Sequence, residues 1–380
     1  MKKNTGILVV ALFVLLLIDL NAQAQDTAKT SVTPLSLKLW GYADVYYAYD
    51  FNNPVSKNRA ELVNGNTFVV SHNRSNEFAL NNGIIGLQYT KNRVRGAFSY
   101  QTGSYVKANY AAEPSILQNI YEAYAGYELK KNLWVYAGIF TSHIGPESAI
   151  SMDNLTLSRS IMADNTPYYE TGVKLTYSPN NKLTLTALVL NGWQNIVDRN
   201  RNKAVGTQVQ WKPASNVLLN SSTFIGKEPG AYENTTNFIS TDSLSTERFF
   251  HDFYTQIDIT KKLTLLFAFD AGMQKRRLAG GYNYWYSQNL IVNYTFTSKL
   301  SAAIRSEYYH DKYGVIIYSG TSNGFQTYAP SLNIDFKLTE NMVWRVEGRV
   351  FDSRDKVFVK NGHATTTDTF VLTSLTVKFK

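Results

Sequence analysis

The chain has 380 residues, no cysteine, a formal net charge of +9, and 14% aromatic against 18% charged side chains. The lack of cysteine excludes disulfides, thiolate chemistry, Cys-ligated metals and a lipidated cysteine anchor, and +9 spread over this length is no nucleic-acid footprint. Helix formers are sparse and β-formers abundant, so an all-β chain is predicted; a mean hydropathy of −0.24 excludes a helical membrane bundle but not a membrane barrel, where only half of each strand meets lipid.

In chain order, the N-terminus comes first. Lys2 and Lys3 precede an apolar run from Ile7 to Leu20, broken only by Asp19, and Ala22-Gln23-Ala24 follows. That pattern predicts a cleaved signal peptide over 1–24 and one mature domain over 25–380. The apolar run is short of the roughly 20 residues that span a bilayer as a helix. Removing two lysines and one aspartate with the leader leaves a net charge of +8.

Period-two alternation then predicts about sixteen strands, most of them longer than the usual soluble strand. In the first, Leu37, Leu39, Ala43, Val45, Tyr47 and Tyr49 share one face, and Lys38, Tyr42, Asp44, Tyr46 and Asp50 the other. Later, Val94, Phe98 and Tyr100 oppose Arg95, Ser99 and Gln101. Short turns fall at "TKNR", "LKKN", "SPNNK", "KPASN", "ITKK", "FTSK" and "KLTEN". Between them lie long connections near 52–75, 103–115, 141–167, 192–203, 227–246, 275–282, 311–325 and 353–367. Strict alternation of short and long connections predicts a transmembrane antiparallel up-and-down β-barrel of about sixteen strands, with short periplasmic turns and long extracellular loops. Greek-key sandwiches have no reason to alternate in this way.

An aromatic closes strand after strand just before a short turn: Tyr89, Tyr127, Tyr177, Trp211, Tyr294, Phe336 and, before the C-terminus, Phe379. All share the parity of the aliphatic face, which predicts a lower aromatic girdle at the headgroup boundary. The fifth descending strand offers Ile259 instead. Because hydrocarbon cannot satisfy backbone polar groups, a spanning sheet must close on itself, and sixteen strands enclose an aqueous lumen.

The stretch "GIFTSHIGPESAISMDNLTLSRSIMADNTPYYETGVKLTY", with Gly138, Ser142, His143, Gly145, Glu147, Asn154, Ser158-Arg159-Ser160, Pro167 and Gly172, resembles the OmpL-like β-barrel porins of Gram-negative outer membranes. So do Asn191–Gln194 and the run holding Arg305, Glu307, Asp311 and Gly314. The resemblance implies an outer-membrane porin, exported by the Sec route, passing small hydrophilic solutes or ions, with no catalytic residues and no cofactor. Outer-membrane barrels of this kind end on an aromatic, whereas here Lys380 follows Phe379.

Alternation also selects the groups that would line the lumen. Arg305 and Glu307 on one ascending strand, and Arg345, Glu347 and Arg349 on another, flank a strand offering Asn333 and Asp335. Arg95, Glu122, Glu170, Lys174 and Asp270 share that inward parity. Two readings follow: a transverse field that sets selectivity, or an ion-pair ladder that braces the wall. Connection 141–167, carrying Glu147, Asp153 and Arg159 with apolar Ile144, Ile150, Leu155, Leu157 and Ile161, is the candidate constriction loop; the alternative is a purely extracellular loop. Basic loops at Arg199, Arg201 and Lys203 and at Lys275, Arg276 and Arg277 would meet lipopolysaccharide phosphates or simply be solvated.

Enzyme signatures are weak. "GTSNG" around Ser322 matches G-x-S-x-G, yet a strand rather than a helix is predicted after it. Five scattered histidines lack metal-ligand spacing. The expected partners are outer-membrane lipid and lipopolysaccharide, the barrel-assembly machinery through the last strand, small solutes and a homo-oligomer. The competing readings are a membrane-barrel hydrolase and a secreted soluble β-sandwich binding protein.

Overall fold

The structure, a computed structural model, describes residues 36–230, 244–278 and 280–379. The signal peptide over 1–24, part of connection 227–246 and Lys380 lie outside these residues. The first strands are β1 (Ser36–Asp50), β2 (Phe78–Lys91), β3 (Val94–Thr102), β4 (Ile120–Lys130), β5 (Leu133–Thr141) and β6 (Tyr169–Asn180). Next come β7 (Leu183–Leu190), β8 (Ala204–Ala214), β9 (Val217–Glu228), β10 (Thr246–Asp258), β11 (Leu263–Lys275), β12 (Tyr282–Thr295) and β13 (Leu300–Asp311). The chain ends with β14 (Phe325–Tyr328), β15 (Ser331–Thr339), β16 (Met342–Ser353), β17 (Phe358–Lys360), β18 (His363–Thr365) and β19 (Thr367–Phe379).

From β1 to β13 each strand pairs antiparallel with its sequence neighbour, β16 pairs with β19, and β19 returns to β1 from Gly41 opposite Phe379 to Asp50 opposite Phe370, which closes the sheet. β14 and β15 occupy one position between β13 and β16, so sixteen strands form the wall. Ala329 and Pro330 divide that strand; proline brings no N–H to the ladder there. β17 and β18 form a separate small hairpin within the last extracellular loop. The connection between β3 and β4 contains two short helices, Ser104–Asn109 and Ser115–Gln118, that alternation did not predict.

The periplasmic turns are as short as expected. Asn92 and Asn132 take positive φ of 51° and 64°, conformations that asparagine tolerates better than most residues. Register levels the feet of the hairpins: Tyr89 opposes Leu37, Tyr177 opposes Leu133, Trp211 opposes Leu183, Tyr294 opposes Leu263, and Phe336 opposes Leu300. These aromatics, with Tyr127 and Phe379, lie on the outward face, exposed except for half-buried Phe336, which stacks on Trp344 at 5.0 Å. Val45 and Ile304 are also exposed outward, so the aliphatic face is not folded into a dry centre.

One distortion positions the site. Gly138 on β5 opposes Gly172 on β6, with φ of 132° and 159°. A Cβ on Gly138 would lie 2.2 Å from the Ala123 carbonyl oxygen, and one on Gly172 would lie 2.0 Å from that of Val189. Only glycine fits at both points, directly below where the chain leaves the wall at Thr141 and returns at Tyr169.

Candidate functional site

The connection between β5 and β6 turns into the barrel. Its stem is fixed at His143, whose Nδ1 lies 2.9 Å from Glu170 Oε1 and whose Nε2 lies 2.9 Å from the Thr223 carbonyl oxygen. Both partners are acceptors, so donation at both nitrogens requires the imidazolium. Burial alone would lower the His143 pKa, but the Glu170 carboxylate and the two hydrogen bonds outweigh it and raise it.

Beyond the stem, the loop lies along the inner face of β13, β15, β16 and β19, and that wall grips its main chain. Leu157 N–H donates to Asn333 Oδ1 at 3.0 Å, Ser158 N–H to Glu347 at 2.6 Å, and Ile161 N–H to Glu307 at 2.6 Å. In the opposite sense, Arg305 donates to the Ser158 carbonyl at 2.8 Å and Arg349 to that of Arg159 at 2.8 Å. Arg345 donates to the carbonyls of Ser151 and Asn154 while holding Asp335 bidentately at 2.8 and 2.9 Å. Arg305 also pairs with Glu347 at 2.5 Å, and Arg349 with Glu307. Apart from single helical turns at Ser151–Asp153 and Ile161–Asp164 the loop is irregular, and its backbone groups must find partners once buried. Here the alternating arginines and carboxylates of the strands supply them.

Apolar contact completes the seal. Ile144, Ile150, Leu157 and Ile161 are all buried, and the loop joins a packed cluster that includes Phe68, Phe325, Phe351, Phe358 and Phe370 beneath the extracellular loops. The loop tip descends almost to the foot of the barrel, where Asp153 meets Lys378 at 2.8 Å. Glu147 accepts from Ser160 N–H at 3.1 Å, and burial pushes its carboxyl up against the pull of Arg305. Arg159 turns from the wall to bond Asp164 at 2.8 Å, its guanidinium 3.4 Å from the Tyr168 ring centroid.

The remaining inward residues sort by location. Glu170 is buried under the stem, and Asp270 faces Asp252 across β10 and β11, also buried. Glu122 accepts from Ser99 Oγ at 3.1 Å. Lys174 is half-buried over the Phe140 ring at 4.3 Å, and exposed Arg95 lies 3.8 Å over Trp134 and donates to Tyr136 at 3.1 Å. The structure thus brings Arg305, Glu307, Asp335, Arg345, Glu347 and Arg349 into one network under the loop. It leaves Arg95 and Lys174 on the other side of the barrel.

Two anchors were not selected from the sequence. Asp44 accepts from Ser151 Oγ at 3.1 Å, Asn81 Nδ2 at 3.0 Å and Ser374 Oγ, and lies 2.8 Å from His72 Nε2, tying two extracellular loops to β1. Its signal was visible as an acid among tyrosines on the inward face of the first strand. Glu113 accepts from Ile196 N–H at 2.7 Å and Tyr169 Oη at 3.2 Å, joining two connections and the head of β6, with no such signal.

Space remains in two places. An outer cavity of about 550 Å³ lies among the extracellular loops near Trp193, Tyr169 and Arg248. A second, of about 250 Å³, lies between Tyr121 on β4 and the loop segment 144–149. Among the described residues, no cluster of three or more His, Asp or Glu is arranged to hold a metal ion. Ser322 sits on an exposed turn and strand β14 follows it. The basic loops are partly engaged already: Lys203 pairs with Asp198, and Lys275 with Glu247 at 3.3 Å.

The fold has solved counterparts. An anion-selective porin from Comamonas acidovorans is similar at a TM-score of 0.57 and 11% identity, over 91% of this chain and 100% of that one. The outer-membrane channel DcaP of Acinetobacter baumannii gives 0.60 and 11%, over 94% and 100%. Salmonella typhi OmpF gives 0.53 and 12%, over 90% and 97%. No curated protein matches the chain. The family model described as "Putative beta-barrel porin-2, OmpL-like" matches residues 36–379, the whole wall from first strand to last. The chain belongs to that family, the OmpL-like β-barrel porins of the outer membrane.

Proposed function

We propose that this porin passes small hydrophilic solutes along one side of its lumen, with residues 141–167 as the constriction. The observation that carries this reading is the fate of the wall charges. Arg305, Arg345 and Arg349 balance Glu307, Glu347 and Asp335, three against three, and their hydrogen bonds are spent on the loop backbone. A balanced and covered network offers little field to a passing ion. It braces the loop, and the ladder reading of these residues is the one adopted.

The lower inner faces of β2 to β8 are different. Gln88 and Arg95 are exposed, and Tyr124, Tyr136, Lys174, Thr176, Gln208 and Gln210 are partly accessible. Hydroxyls and amides there suit hydrated solutes, while Lys174 and Arg95 have no carboxylate within ion-pair distance among the described residues. Cations on a narrow wet path that no carboxylate contacts directly favour anions. The protein acts as a channel and not as a hydrolase. Its outward aromatics contact membrane lipid, its basic loops meet lipopolysaccharide, and β19 is the segment offered to the assembly machinery.

Planar-bilayer recording of the purified mature chain tests the reading. The expected result is a small single-channel conductance with a reversal potential displaced toward anions in a KCl gradient. A folded sample that shows no conductance steps, or a clear cation preference, contradicts it.

A further inference from the structure

The foot of the barrel between β2 and β6 repeats one arrangement in two adjacent hairpins. In the first, Lys91 opposes Val94, and Val94 opposes Tyr127. In the second, Lys130 opposes Leu133, and Leu133 opposes Tyr177. Partners in a ladder share a face, so each lysine stands on the outward side, in the same cross-strand row as a girdle tyrosine. Arg93 and Lys131 complete the two turns, and all four cations are exposed, as are both tyrosines.

Ring contacts fix the cations on the lipid side. The Arg93 guanidinium lies 4.8 Å from the Tyr127 ring centroid, and Lys130 Nζ lies 5.8 Å from that of Tyr177. Arg93 is held in place by donating from Nε to the Glu128 carbonyl at 2.7 Å and from Nη2 to the Leu129 carbonyl. Glu128 itself opposes buried Trp134, which gives its carboxylate the inward parity. Among the described residues of β1 to β7, no acid shares the outward face at these feet.

Depth decides what such a patch can meet. Girdle aromatics belong at the headgroup boundary, and a cation in the same row lies level with the phosphates. These turns face the periplasm, where the leaflet is phospholipid rather than lipopolysaccharide. A zwitterionic headgroup brings an ammonium that four cations repel, and a headgroup of net negative charge brings none. We infer that the outward foot of β2–β6 binds an anionic phospholipid of the periplasmic leaflet. Lys91, Arg93, Lys130 and Lys131 hold its phosphate, and Tyr127 and Tyr177 lie against the glycerol and upper acyl chains. Capture of one lipid class goes beyond the general contact of the girdle with the bilayer, and it is independent of the path through the lumen.

Native mass spectrometry of the detergent-purified mature chain, titrated with phosphatidylglycerol or phosphatidylcholine of matched acyl chains, tests the assignment. Phosphatidylglycerol is expected to bind roughly tenfold or more tighter, with the preference shrinking at raised salt. Lys91→Gln with Lys130→Gln is expected to remove most of that preference. Lys356→Gln with Lys360→Gln, the same charge change on the last extracellular loop, is expected to leave it intact. Both variants are scored as folded by heat-dependent gel mobility before titration. Equal affinity for the two lipids, an undiminished preference in the rim variant, or an equal loss in the loop variant would each overturn the inference. So would poly-glutamate that binds the chain in phosphatidylcholine nanodiscs and is lost with the rim variant, because the patch would then dock an acidic polypeptide.

Discussion

The two sides of the lumen use similar residue types to opposite ends. Under the loop, on β13, β15, β16 and β19, arginines and carboxylates are nearly inaccessible and bond each other and a foreign backbone. On the lower halves of β2 to β8, Arg95 and Lys174 rest on aromatic rings, and neither has a carboxylate at ion-pair distance among the described residues. Inward parity alone therefore does not make a charge a selectivity group. What matters is whether something else has claimed it.

The sharpest way to break this contrast is to remove a gripping charge. Arg305→Ala takes the guanidinium away from Glu347 and the Ser158 carbonyl, and breaking a buried pair costs roughly 3–5 kcal/mol. Denaturant unfolding should show that loss, and bilayer recordings should show a larger, noisier conductance as the loop comes free. The double change Arg305→Met with Glu347→Met removes both charges and should cost clearly less. A fully stable Arg305→Ala with wild-type conductance would mean that the grip is ornamental.

Next in size is the exchange of roles. Lys174→Glu should move the reversal potential toward cations without changing stability much, whereas Glu347→Gln, on the covered side, should leave selectivity nearly untouched. Equal shifts from the two substitutions would erase the distinction between the walls.

A pH effect of intermediate size is expected at the stem. The His143 pKa is raised in the folded chain, so the stability it contributes is fully present below its unfolded value of about 6.5 and is lost as pH rises through the raised value. Channel noise or proteolytic access to residues 141–167 should increase on that alkaline side, and His143→Gln should flatten the response. A transition on the acid side would have the wrong sign. The smallest effect belongs to Lys378→Ala. Its pair with Asp153 is partly exposed, and surface pairs contribute at most about 1 kcal/mol, so its unfolding curve should barely move.

Much of the architecture could be read before the structure because it rests on period two. Strand count, the alternation of short and long connections, and the outward aromatics at the hairpin feet all follow from it. Long-range geometry could not be read that way. Nothing local tells whether Arg305 meets water or the Ser158 carbonyl, since that depends on a loop about 150 residues earlier in the chain. His143 seemed one of five scattered histidines until Glu170 and Thr223 were brought to it by neighbouring strands. Pro330 was legible as a break only once its strand was known to be internal to the sheet.

Accessibility of single thiols to a charged, membrane-impermeant reagent during current recording tests the central claim most directly. Thr176→Cys lies on the open side and Thr376→Cys is buried on the gripped side. The account predicts that the reagent blocks current through Thr176→Cys and leaves Thr376→Cys unaffected. Block at Thr376→Cys with silence at Thr176→Cys would place the conducting path beneath the loop and contradict it.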